Sequence, residues 1–147
     1  MVQPFIASSR EQVADIMIEL TRLSHSHRAV VAGSDSLEWY LMLRRRGFVR
    51  VATPATCSMP KRQHAVGLIA GQNSLRDIEA SLVQLSPFLC SSATMAVLIG
   101  CSENGVCMKI RNRLQQMGFR IEAGVRCEQG LVLSAFRQGF GQIGNAA

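Results

Sequence analysis

Aromatic side chains are scarce in this chain: one Trp, one Tyr and six Phe. The core must therefore be aliphatic, which disfavours an aromatic-rich β-sandwich and suits a sheet held between helices. Long apolar runs are missing too. None approaches the roughly 20 residues that a bilayer-crossing helix needs, so no membrane association is expected. Residues 1–9 lack a basic segment leading into an apolar one and a small-residue cleavage site, so a cytoplasmic location is expected. The cysteines are odd in number, five, at 57, 90, 101, 107 and 127. That argues against a disulfide framework and for small buried or half-buried thiols. Acidic residues are the minority charge, 10 against 16 Lys and Arg, giving a net +6. A basic balance can suit nucleic acid. Here Arg44–Arg45–Arg46, Lys61–Arg62 and Lys109, Arg111, Arg113 are short scattered groups without interleaved aromatics, as solvated helix faces are.

What is present is one short pattern written three times. Ala29–Val30–Val31–Ala32–Gly33 precedes Ser34–Asp35–Ser36–Leu37; Ala65 to Gly71 precedes Gln72–Asn73–Ser74–Leu75; Ala96 to Gly100 precedes Cys101–Ser102–Glu103–Asn104. Runs that are apolar at successive positions fit central strands of a parallel sheet, because helices cover both faces. The glycine permits a tight strand-to-helix turn, and Ser, Asp or Asn offers an oxygen to the unpaired N–H groups of the first helical turn.

The following segments read as helices. Leu37, Tyr40, Leu41 and Arg44 share one side of a helix stopped by Gly47. Leu75, Ile78, Leu82, Leu85 and Leu89 recur at three- and four-residue steps, with Ser74 and Asp77 placed as a variant capping box and Pro87 as terminator. Ile110, Leu114 and Met117 mark a helix closed by Gly118, and Val13, Ile16, Met17, Leu20 and Leu23 an earlier one over about Ser9 to Leu23. Strands are expected after Gly47, at Phe48–Val51, and after Gly118. Phe119 to Val125 and Leu131 to Phe136 flank the polar loop Arg126–Gly130 and read as an antiparallel hairpin. The expected fold is a doubly wound α/β domain over residues 1–137, a mostly parallel sheet with flanking helices, ending in that hairpin. Residues 138–147 form a glycine-rich tail expected to fray.

In this order the chain resembles the class I S-adenosylmethionine-dependent methyltransferases. His64–Ala65–Val66–Gly67–Leu68–Ile69 is similar to the family's fourth strand. Leu82 to Pro87 is similar to the helix and turn before its fifth, and Leu114 to Phe119, with the hairpin and Ala135–Phe136–Arg137, to its end. The resemblance implies a cofactor loop after the first strand and an acidic residue at the end of the second for the ribose hydroxyls. This chain departs at both places. Gly33 stands alone before Ser34, Asp35 and Ser36, and Val51–Ala52–Thr53–Pro54 has no carboxylate. Only about a dozen residues separate Thr53 from Ala65, too few for a full helix and a third strand. A carboxylate on two ribose hydroxyls supplies charge-assisted bonds on the order of 1.5–3 kcal/mol each, so its loss implies much weaker S-adenosylmethionine binding.

In open α/β sheets ligands sit beyond the carboxyl ends of the strands, where strand order reverses. The candidate crevice, for cofactor or another small molecule, is lined by Gly33, Ser34, Asp35, Gly71, Gln72 and Asn73, with Thr53 and Gly100 nearby. The plainer reading of the same residues is helix caps and turn glycines. His25 and His27 have no third metal ligand near them, so no metal site is assigned and a helix-to-strand linker is expected. Cys101 and Cys107 fit neither a redox pair nor a zinc knuckle, and Trp39 reads as packing or an interface anchor. No catalytic residue emerges. The leading functional reading is a methyltransferase-like domain that has lost efficient cofactor use and acts in binding or assembly, as a homodimer. The alternatives are a small active methyltransferase in which Ser34 and Asp35 replace the lost contacts, and a nucleic-acid-binding module using Arg44, Arg45, Arg46, Arg50, Lys61 and Arg62.

Overall fold

The computed structural model describes residues 9–55, 62–71, 74–100 and 105–137. In chain order these form α1 (Ser9–Thr21), β1 (Ala29–Ala32), α2 (Ser36–Arg45), β2 (Val51–Ala52), β3 (His64–Ile69), α3 (Leu75–Leu85), β4 (Leu89–Ile99), α4 (Val106–Gln116), β5 (Phe119–Cys127) and β6 (Gly130–Arg137). A single 3₁₀ turn, Ser86–Phe88, with Pro87 inside it, joins α3 to β4.

The six strands lie in the order β2-β1-β3-β4-β6-β5. Pairings from β2 through β4 are parallel, while β6 runs antiparallel to both β4 and β5. The alternation of side chains along a strand explains the unbroken apolar runs. Val31 of β1, Leu68 of β3 and Leu98 of β4 pack with Val13 and Met17 of α1 and Trp39 and Leu43 of α2. Their neighbours Val30, Ile69 and Val97 face the other way, onto Ile78 and Leu82 of α3 and Ile110 and Leu114 of α4. Each of these side chains is at most 2% exposed. Burying one such side chain stabilises by about 1.5–3 kcal/mol, and two layers of them make the sheet the centre of the domain.

The helix ends follow local chemistry. Asp77 N–H donates to Ser74 Oγ (3.2 Å) while Ser74 N–H donates to Asp77 Oδ2 (3.3 Å), the reciprocal box expected at the start of α3. Gly47 (φ +96°) and Gly118 (φ +91°) follow α2 and α4 in the left-handed conformation that ends a helix cheaply for glycine.

Several expectations need correcting. The inward face of α2 is Trp39, Met42 and Leu43, whereas Leu37 and Leu41 are exposed. Two stripes at helical spacing overlap in this segment, and the stripe bearing the largest side chain is the one buried. Leu89 starts β4 rather than continuing α3, because Pro87 diverts the chain first. β4 reaches back to Leu89, well before Ala96. Its pairing with β3 is interrupted between His64 and Val66, where the polar residues Ser91 and Ser92 bulge outward. The expected strand at Phe48–Val51 shrinks to Val51–Ala52, with Phe48 buried ahead of it. The hairpin strands run on to Cys127 and back from Gly130, a tighter turn than expected. Leu23 is buried beyond the end of α1. The 138–147 tail lies outside the described residues.

Candidate functional site

β1 is the point where strand order reverses: β2 lies on one side of it and β3 on the other. α2 leaves β1 for one face of the sheet and α3 leaves β3 for the opposite face. This divergence opens a ligand crevice in doubly wound sheets, and it falls between the loops that begin at Gly33 and Ala70.

Those two loops stay in contact. Ala70 N–H donates to Ala32 O (3.0 Å), continuing the parallel ladder past the last residue of β3. Gly33, at φ +112°, lies so close that a Cβ on it would overlap the Ala70 carbonyl oxygen. On Gly71, at φ +96°, a Cβ would overlap Ser34 Oγ and come within 2.9 Å of Asp35 N. Both glycines therefore serve a backbone-to-backbone closure, since no L side chain fits either the conformation or the space. The structure brings Gly33, Ser34, Asp35 and Gly71 together.

Asp35 occupies the N-cap position of α2, but its carboxylate makes no capping bond. It turns instead to Arg10 of α1, with Nη2 to Oδ2 at 3.9 Å. Both side chains are partly exposed, and such a pair contributes little to stability. Sequence reasoning missed Arg10, because nothing local to residues 9–21 says that the helix begins over the β1 loop. Thr53 is buried just past the end of β2, and Gly100 follows β4 on the same edge of the sheet. Gln72, Asn73, Cys101 and Ser102 lie outside the described residues.

The other residues singled out have structural settings. His25 stacks on Phe48 at 4.4 Å with the rings 4° from parallel, and its Nε2 lies 3.2 Å from Arg46 O, a carbonyl at the end of α2. His27 Nδ1 accepts from Ser24 N–H (3.1 Å). The pair shapes the α1–β1 connection, as a linker should. Among the described residues no group of three or more His, Cys, Asp or Glu is placed to hold a metal, and no helix is long and apolar enough to cross a membrane. Cys90, Cys107 and Cys127 are half-buried free thiols. Trp39, 2% exposed, is core. Arg44 and Arg45 are exposed, whereas Arg46 reaches back to Asp15 of α1.

A second polar feature, at the opposite edge of the sheet, had no sequence signal. Arg137, the last residue of β6, donates from Nη1 to Leu89 O (2.9 Å). Its Nη2 donates to Ser86 Oγ (2.6 Å) and Ser86 O (3.3 Å), and its guanidinium lies 4.8 Å from the centre of the Phe119 ring. Nearby His64, 1% exposed, donates from Nδ1 to Phe88 O at 3.2 Å. Both groups hold the α3–β4 turn.

No family model and no curated protein matches the chain by sequence. Among solved structures it is similar to the ribosomal protein L11 methylase of Lactobacillus delbrueckii subsp. bulgaricus, with a TM-score of 0.67 at 14% identity, covering 94% of this chain and 90% of that one. It is also similar to a SAM-dependent methyltransferase from Aquifex aeolicus, with a TM-score of 0.64 at 10% identity over 88% and 93% of the two chains. A third, the release-factor-specific protein-(glutamine-N5) methyltransferase of Alicyclobacillus acidocaldarius, gives 0.53 at 15% identity over 94% and 99%. The fold is thus that of the class I S-adenosylmethionine-dependent methyltransferases. The chain shares this fold over most of its length.

The volume that a Cβ on Gly33 would need is taken by the Ala70 carbonyl, and Ser34 Oγ lies where a Cβ on Gly71 would be. The end of β2, Val51–Ala52–Thr53, offers no carboxylate to a ribose.

Proposed function

We propose that this domain keeps a methyltransferase scaffold but does not use S-adenosylmethionine efficiently, and that it works by binding or assembly. The observation that carries this reading is the closure of the β1 loop on the β3 loop through Gly33, Ala70, Ser34 and Gly71. A cofactor lying over the end of β1 needs that space, and prising the loops apart breaks backbone contacts before any ligand contact forms. The short connection between β2 and β3 supports the same reading. Among its described residues, 53–55 and 62–63, there is neither helix nor strand to wall a nucleoside pocket.

Thermal unfolding tests the proposal. A ligand that binds only the native state raises the unfolding midpoint, by an amount that grows with the logarithm of its concentration once that exceeds Kd. Saturating S-adenosylmethionine or S-adenosylhomocysteine is expected to leave the midpoint where it is. A concentration-dependent rise with either one overturns the reading and favours a working methyltransferase.

A further inference from the structure

The sheet ends in an open edge. β5 pairs with β6 along its inner side, and among the described residues no strand covers its outer side. A strand nine residues long with free N–H and C=O groups is a template for another strand, and folds usually blunt such an edge.

The side chains along this edge are complementary to themselves. Glu122, Gly124 and Arg126 are exposed and alternate with the half-buried Ala123 and Val125. If a second β5 runs antiparallel with Gly124 opposite Gly124, Glu122 of each copy falls opposite Arg126 of the other. On the other face Ala123 falls opposite Val125, small against larger, twice over. Opposite charges set directly across a strand pair attract, and like charges repel.

Neighbouring registers lack this match. Centred on Val125, the pairing sets Glu122 against Glu128 and leaves Arg126 facing Gly124. Centred on Ala123, it sets Glu122 against Gly124, with no charge to answer it. The ladder with β6 slips between Ile121 and Ala123, so regular pairing with β6 runs from Ala123 towards the hairpin turn and Glu122 stands at the bulge just before it. Gly124 keeps the centre of this pairing free of a side chain; a Cβ on it would lie 3.2 Å from Leu133 Cδ2 and 3.4 Å from Leu131 Cδ1, so the glycine makes room for the leucines of β6.

We infer that the β5 edge is a homodimer interface, in which two copies pair antiparallel about Gly124 and their six-stranded sheets join into one. A two-fold axis requires an isologous, self-complementary patch, and this edge meets that requirement by charge, size and register. The inference supplies the assembly part of the proposed function and rests on that reading for its purpose, although the pairing itself is independent of the crevice.

Sedimentation velocity on the full chain across a dilution series tests it, with circular dichroism to confirm folding. Wild type is expected to dimerise, and Arg126→Glu or Glu122→Arg alone to weaken the dimer about tenfold or more, since each turns two attractive cross-strand pairs into two repulsive ones. The double exchange, Glu122→Arg with Arg126→Glu, is expected to restore it. A wild type that stays monomeric throughout overturns the interface, as does a dimer indifferent to both single reversals. Neither result changes what a cofactor titration reads, so the two failures are distinguishable.

Discussion

The carbonyl oxygen of Ala70 fills the volume that a side chain on Gly33 would need, and Gly33 itself sits at φ +112°. The two conditions are separable by comparison with Gly118, which also has positive φ (+91°) but nothing within 4 Å of a Cβ. Gly118→Ala is expected to cost about 1 kcal/mol, the backbone penalty alone. Gly33→Ala is expected to cost about 3 kcal/mol or more, because the overlap lies against backbone that cannot step aside. Urea denaturation of both variants gives the comparison. Equal costs would mean that the loops are not in contact.

Arg137 bridges β6 to the α3–β4 turn with a planar fork of donors. Arg137→Lys keeps the charge but loses the fork, and is expected to destabilise by about 2–3 kcal/mol, nearly as much as Arg137→Met. A lysine variant as stable as wild type would show that charge alone matters there.

Burial is the main influence on His64 and holds its pKa below the ordinary 6.5; the Arg28 charge adds to this, and the hydrogen bond to Phe88 opposes it. The unfolded chain therefore takes up the proton first on acidification. Stability from neutral His64 is fully present above 6.5, declines as pH falls below it, and is all lost once pH passes under the lowered native value. The urea midpoint of wild type is expected to drop across that window by more than that of His64→Asn. Parallel pH profiles would remove His64 from the account.

The ion pair of Asp35 with Arg10 is long and partly exposed. Asp35→Ala is expected to change stability by less than about 1 kcal/mol. Under the rival reading of an active methyltransferase, the same change abolishes cofactor binding. A variant that loses a measurable affinity for S-adenosylmethionine while staying folded would establish that rival.

Much of the fold was legible because the parallel strands need apolar residues on both faces. Val30 and Val31, or Ile69 beside Leu68, announce that without reference to anything distant. The Ser74–Asp77 box was legible for the same reason, since its partners are three residues apart. The inward face of α2 was not, because the choice between Leu37–Leu41 and Trp39–Met42–Leu43 depends on which side α1 covers. The long β4 was hidden by Cys90, Ser91 and Ser92, polar residues tolerated only because the strand bulges there. At the site, the glycines could be read as turns, but what they face could not. The contacts Gly33–Ala70 and Gly71–Ser34 join segments far apart in sequence, as do Asp35–Arg10 and Arg137–Ser86.

Isothermal titration of the full chain with S-adenosylmethionine, and separately with S-adenosylhomocysteine, bears most directly on the closed crevice. Heats no larger than those of dilution, with both ligands, are the expected result. A saturable isotherm with micromolar affinity for either ligand would contradict it, because the β1 and β3 loops would then have to part for a ligand they are held here to exclude.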